Sequence, residues 1–522
     1  MMNSFRTLLW RLLFLGLALS LLAEPMALAA GADDDADDLG DDVAAAWIGD
    51  GDDGDDDDDA ESGAWGIEPS AATGRTASST TRETVQLQDD DDDDDGCDVV
   101  DDDGDPSTDG FCSDQAIVRL AGGADIAGVN ADFGIETIDQ IAGQQLFLLR
   151  LPSGSNEPQF AQLLEDDPRV AWAELNFVDQ APEGSPRRFF PSSGKYVPQP
   201  GTMNQAYAPG LIGFAAVECV DGRGVSVAVI DTGLDADHPY FANTTVRDAW
   251  NAFSNQDGAG NVDDIGNAED DDGDTVIDEM TGHGTHVAGI VAQAAPGAAI
   301  VPIKALDSDG VGQAFYLARA IYYALDRNVD VMNLSLGSTA NTRIVREAAS
   351  DALGAGIFVA AAAGNSSSTG PREFPATLDG VFGVAATDQQ DRAAAFSSTH
   401  ASLDLSAPGV GIVAAFPPNQ PPANPIGSEF VTWSGTSMAT PWVAGAAALL
   451  LERRPQWTPE QVADRLRTSA APIAGSPAGM GAGRLDVAAA VDCGQAVSSG
   501  QGADNNQGAV SSGTDRDKNK KK

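Results

Sequence analysis

From Leu211 to about Val491, short apolar runs alternate with helical stretches, and this alternation constrains the fold more than any other feature of the chain. Val225–Ile230, Ala299–Leu306, Val329–Leu336 and Gly356–Ala363 read as strands. Ala314–Asn328, Val345–Leu353 and Thr440–Arg454 read as helices. Strands this apolar must be covered on both faces, which predicts an α/β domain with a mostly parallel sheet between helical layers.

The chain has 522 residues, more than one core usually holds, so further units are expected. Residues 1–29 read as an export signal: Arg6 and Arg11 precede the apolar run Leu12–Ala23, and Ala27-Leu28-Ala29 offers a cleavage site. That run is shorter than the roughly 20 residues a membrane span needs, and no later segment is long and apolar enough, so a secreted protein without a membrane span is expected. Residues 30–113 are Asp-rich and low in complexity, too poor in apolar surface to offset chain entropy. Of the 80 acidic residues 32 fall in residues 1–110, against four of the 29 basic ones. Charge of that sign repels nucleic acid and anionic membranes, which excludes both as expected partners. Residues 114–180 change to a small α+β pattern, with strands at Gln115–Leu120, Leu146–Pro152 and Val170–Val178 and a helix at Pro158–Asp167. A Pro/Gly/Ser-rich linker at 181–210 includes Ser185-Pro186-Arg187-Arg188, suited to proteolytic cutting. The main domain spans 211–495, and a polar tail with a lysine cluster occupies 496–522.

For an exported chain the parsimonious cysteine pairing is Cys97–Cys112 and Cys219–Cys493, although four cysteines allow three pairings and free thiols are the alternative.

Three segments carry reactive residues at element ends. Val225–Gly233 leaves Asp231 at the C-terminal edge of a strand, where parallel sheets build their sites. Thr281–Ile290 and Ser434–Gly445 put His283 and Ser437 at helix starts, where free N–H groups favour a developing negative charge. Asn365 ends the strand before Ser366-Ser367 and offers a side-chain donor. A serine hydroxyl needs a histidine to take its proton, the imidazole needs a carboxylate, and the oxyanion needs donors already in place. Each residue alone has a plainer reading. Ser437 could be a helix cap, and Asp231-Thr232-Gly233 could suggest an aspartic protease, which would need a second such motif. His286 could pair with His283 on a metal, but it and His238 read better as structural neighbours.

Together these segments resemble the subtilisin-like serine proteases (subtilases, peptidase family S8). The Asp, His, Ser order agrees with that family. Ala295–Gln313, Val329–Gly337, Phe374–Asp388 and Leu403–Val410 extend the likeness in family order. The resemblance implies a three-layer subtilisin-like catalytic domain and a serine endopeptidase acting on polypeptides through the triad Asp231, His283 and Ser437. Asn365 and the Ser437 N–H would form the oxyanion hole. Gly310, Val311, Gly312 and Leu334, Ser335, Leu336, Gly337, with Ala362 and Gly364, would line the substrate. The α+β unit resembles the ferredoxin-like inhibitory propeptide of these enzymes, an intramolecular inhibitor and chaperone, with maturation between Ala181 and Gly210. A monomer is the default. A catalytically silent binding or regulatory domain is the alternative, and a calcium-responsive acidic surface protein is a third.

Two departures from the family bear on properties. Tyr240 stands where many members carry a calcium-ligating aspartate. Instead the loop Asn267–Glu279 gathers Asp270, Asp272, Asp274 and Glu279 around Gly273, for which structural calcium and a solvated acidic loop both fit, while an EF-hand-like alignment has Ala268 at its first ligand position. Glu373, before Phe374-Pro375, aligns near the bottom of the S1 pocket and would favour Lys or Arg at the residue before the cut. The chemistry itself calls for no cofactor.

Overall fold

The computed structural model describes residues 97, 99–100, 110–183, 206–269, 276–367, 370–418, 429–473, 475 and 477–494. The export signal, most of the Asp-rich segment, linker residues 184–205, Asp270, Asp272, Asp274 and the lysine tail lie outside the described residues.

Among the described residues the main sheet has nine strands, three of them two-residue edge strands. Its body is six parallel strands: β5 (Ser226–Asp231), β6 (Ala299–Lys304), β8 (Val331–Leu334), β9 (Phe358–Ala362), β10 (Phe382–Thr387) and β11 (Leu405–Pro408). Their spatial order is β11-β10-β9-β8-β5-β6. Side chains alternate across the sheet as strand geometry demands. Val227 and Val229 join one core with Val287 and Ile290 of α3 (His283–Ala294) and with Trp442, Val443 and Leu449 of α6 (Thr436–Arg453). Ala228 and Ile230 join the other with Phe315 and Ile321 of α4 (Ala314–Asp326) and Ile344 and Ala348 of α5 (Arg343–Gly354). The expected three layers are present. A short hairpin, β12 (Ile412–Ala415) with β13 (Phe430–Trp433), lies beside α3. Helices α7 (Pro459–Ser469) and α8 (Val487–Val491) follow α6.

Helix α6 starts four residues earlier than the pattern predicts. Proline usually sits in a helix's first turn, yet Pro441 lies inside this one and cannot donate to the carbonyl of Ser437. The Ser335 hydroxyl supplies that bond at 2.9 Å, and Asn333 Nδ2 holds the hydroxyl in turn. Ser437 therefore stands in a true first helical turn.

Residues 111–180 form β1 (Phe111–Leu120), α1 (Ile126–Phe133), β2 (Glu136–Ile141), β3 (Leu146–Arg150), α2 (Glu157–Glu165) and β4 (Val170–Gln180). The sheet is antiparallel in the order β4-β1-β3-β2, a ferredoxin-like arrangement. Helix α1 and strand β2 were not expected: Glu136–Ile141 is mostly polar and only half covered, so it carries little strand signal. Val118, Phe147, Leu149 and Leu164 pack on the helical face, while Ile117, Leu148 and Trp172 enter the same core as Phe315 and Ile344. Ion pairs Arg119–Glu347, Asp139–Arg319 and Glu165–Arg343 rim this contact. Glu174 accepts the N–H groups of Arg343 and Ile344, capping α5, whose own Thr342 provides no side-chain cap. Disulfides join Cys97 to Cys112 and Cys219 to Cys493. Among the described residues no helix is long and apolar enough to cross a membrane.

Candidate active site

Strand β5 ends at Asp231, which is fully buried at the C-terminal edge of the sheet. Its Oδ1 accepts from Thr232 N at 2.8 Å and lies 2.6 Å from His283 Nδ1. Burial pushes the Asp231 carboxyl up, opposed by the charge of His283. Burial would lower the imidazole of His283, but Asp231 first and the Glu183 carboxylate after it overcome that and raise it to about 10. Rings of His283 and His286 both lie 5.5 Å from Trp433.

Ser437, also fully buried, donates from Oγ to Glu183 Oε2 at 2.6 Å and lies 3.2 Å from the Ser335 carbonyl. His283 Nε2 lies 3.2 Å from that same Glu183 oxygen. Asn365 completes the ring. Its Oδ1 accepts from Thr436 N and Oγ1, each at 3.0 Å, which turns Nδ2 toward Glu183 Oε1, also at 3.0 Å. Asp231, His283, Ser437 and Asn365, far apart in sequence, thus meet around one carboxylate.

Glu183 arrives there because β4 runs along the site as an extended strand. Gln180, Asp179 and Val178 pair antiparallel with β7 (Val311–Gln313), Gln180 exchanges both main-chain bonds with Gly337, and Ala181 N donates to Gly310 O at 2.8 Å. This is strand addition to two preformed edges. Continuing the register puts Pro182 opposite Ser335, and proline has no N–H to offer there. The chain turns at Pro182 and Glu183.

Other predicted residues separate clearly. Glu373 is buried, with its carboxylate against the positions a Cβ would take on Gly364 and on Gly337 and with Ser366 Oγ at 3.2 Å. Ala362 is the last residue of β9 and Gly364 leads into Asn365. His286 lies beside Ile412 O at 3.1 Å and is held down to about 3 by burial, so it stays neutral. His238 contacts Glu429 O and accepts from Tyr240 N, a structural role. In the acidic loop the Asp278 carboxylate is taken by the N–H groups of Asn267 and Ala268. Among the described residues no group of three or more His, Cys, Asp or Glu could hold a metal ion, and Glu279 belongs to none.

Sequence reasoning missed Glu183, Asp264, Thr436 and Trp433. Thr436 and Trp433 lie within four residues of Ser437, whereas only tertiary packing brings Glu183 and Asp264 to this site and no local spacing marks them.

Residues 222–509 match the model of the Subtilase family. Subtilisin from Bacillus pumilus is 37% identical over 281 residues, covering 52% of this chain and 91% of that protein. Subtilisin E from Bacillus subtilis (strain 168) is 34% identical over 319 residues, covering 59% of this chain and 72% of its own. Among solved structures, fervidolysin from Fervidobacterium pennivorans, described as a keratinolytic enzyme related to subtilisin, superimposes with a TM-score of 0.60 at 23% identity. That match covers 73% of this chain and 61% of fervidolysin, and at this identity it is a likeness of fold. The chain belongs to the subtilase family and is a serine endopeptidase.

Proposed function

We propose that the protein is a secreted endopeptidase made as a self-processed precursor, in which residues 114–180 act as propeptide and inhibitor of the catalytic domain at 211–495. The observation that carries this reading is the Glu183 carboxylate bound at once by Ser437, His283 and Asn365, at the end of a strand laid along both substrate edges.

In hydrolysis, Ser437 Oγ attacks the scissile carbonyl while His283 Nε2 takes its proton, and Asp231 orients and stabilises the imidazolium. Asn365 Nδ2 and the Ser437 N–H receive the oxyanion. His283 returns the proton to the leaving amine, and water repeats the steps to release the acid. The substrate lies extended between Gly310–Gly312 and Leu334–Gly337, as β4 does. Pro182 and the Glu183 carboxylate make β4 an occupant rather than a substrate: no N–H faces Ser335, and an anion fills the place of the oxyanion. Maturation then falls within the linker after Glu183, and the Asp-rich segment, tied through Cys97–Cys112, leaves with the propeptide.

The test is the intact mass of the exported protein for wild type and Ser437→Ala. Wild type is expected to shed roughly the first 180–210 residues, with the mutant full length apart from its signal. Equal masses would move the silent-domain reading ahead.

A further inference from the structure

The triad's aspartate and histidine stand on separate elements, and something must fix their distance. Asp264, in the loop before α3 and 1% exposed, touches both. Its Oδ1 accepts from Thr232 Oγ1 at 2.9 Å and from Gly282 N at 2.8 Å. Its Oδ2 accepts from Thr285 N at 2.9 Å and Thr285 Oγ1 at 2.7 Å. Thr232 directly follows Asp231, and Gly282 and Thr285 flank His283. Helix α3 has no cap of its own, since Gly282 has no side chain to give. Asp264 therefore caps it from a distance, and Thr232 Oγ1 takes a further first-turn N–H, that of Gly284, at 2.9 Å. Thr232 is held from its other side by Lys304 Nζ, 2.6 Å from its carbonyl. The two elements are in close contact: a Cβ on Gly284 would stand 2.2 Å from the Gly233 carbonyl.

We propose that Asp264 is a positioning residue of the triad, clamping the end of β5 to the start of α3 so that Asp231 meets His283 Nδ1. Four hydrogen bonds from two elements converge on one buried carboxylate, and its charge lies at a helix N-terminus where a negative charge is favoured. The proposal rests on the endopeptidase reading of Asp231, His283 and Ser437. The charged and titratable groups near His283 are Asp231 at the strand end, Asp264 in the loop, Lys304 at the end of β6, His286 on its own helix and, in the uncut chain, Glu183.

The experiment measures kcat, KM, the pH profile of kcat/KM and the thermal midpoint of the processed enzyme, for wild type, Asp264→Asn, Thr232→Val and Thr232→Ser, with full-length Ser437→Ala as the inactive control. Asp264→Asn is expected to lower kcat by about 10- to 100-fold with KM within about twofold, because the reacting groups shift while the substrate edges do not. It should also move the acid limb to lower pH, since removing a negative charge disfavours the imidazolium. Thr232→Val should lose kcat without moving the limb, and Thr232→Ser should restore it. A wild-type kcat and limb in Asp264→Asn overturns the proposal, as does a loss that follows only the thermal midpoint. Should Asp264→Asn not fold, equal kcat for Thr232→Val and Thr232→Ser overturns it. If wild type shows no activity that Ser437→Ala removes, the endopeptidase reading fails instead.

Discussion

Glu373 lies against Gly337, which pairs with Gln180, and against Gly364, which precedes Asn365. The neighbouring Arg372 donates to Thr377 O and lies over the Phe374 ring. With Glu373 at the floor of the S1 pocket, as the family resemblance implies, a carboxylate there would select Lys or Arg before the cut and reject Glu. Peptides differing only at that residue are expected to show Lys and Arg ahead of Leu by about 10- to 100-fold in kcat/KM, and Glu373→Gln to remove most of the difference. A Leu preference in wild type would refute this. At this scale the sequence was informative where chemistry needs a fixed local pattern. Asp231, His283, Ser437 and Asn365 each sit in a short motif at an element end. Glu183 and Asp264 have no such pattern, because their roles arise from partners about 100 or more residues away for Glu183 and 32 away or fewer, but on two different elements, for Asp264.

In the proposed precursor, strand β4 is the element that closes the site. The attraction between Glu183 and the His283 imidazolium depends on the proton that His283 carries. A raised pKa gives a contribution that is complete below the histidine's value in the opened site and is lost as pH rises through about 10. The lag before activity appears in freshly folded precursor should therefore shorten as pH climbs from neutral toward 10. In Glu183→Gln the lag should be shorter and nearly flat with pH. An unchanged lag in that variant would show that the β-ladder alone holds the strand. Helices and strands with strong apolar periodicity were legible, as with β5 and α4. For α6 the apolar pattern starts only at Thr440, while the motif that puts Ser437 at a helix start agrees with the observed start at Thr436. The Ser335 hydroxyl, over 100 residues earlier, donates to the Ser437 carbonyl that Pro441 cannot serve.

Across the molecule, the Cys219–Cys493 bridge closes a loop with a sequence separation of 274 residues, joining the entry to the catalytic domain with its exit beyond α8. Tying ends so distant restricts the unfolded chain strongly, worth about 2–5 kcal/mol. Replacing both cysteines by serine should lower the thermal midpoint by roughly 5–15 °C, with added reductant then having no further effect. A midpoint unchanged in the variant would show that packing of α6 and α8 holds the ends unaided. The parallel sheet could be read in advance because its strands are apolar on both faces. The seating of the N-terminal unit could not, since Ile117 and Trp172 look like ordinary core residues until they are seen entering the other unit's core.

Of the three arginine–carboxylate pairs rimming that seat, Arg119–Glu347 and Arg343–Glu165 lie near the surface, where each is worth about 0–1 kcal/mol and is weakened by dissolved ions, whereas Arg319 is buried. The apolar contact beneath them strengthens in many of the same media. The self-restraint of the proposed precursor would thus be divided between two forces that a salting-out salt drives in opposite directions. A salt such as sulfate would loosen the exposed pairs and tighten the apolar seat, leaving the main-chain ladder along the cleft to set how long the proposed precursor stays silent.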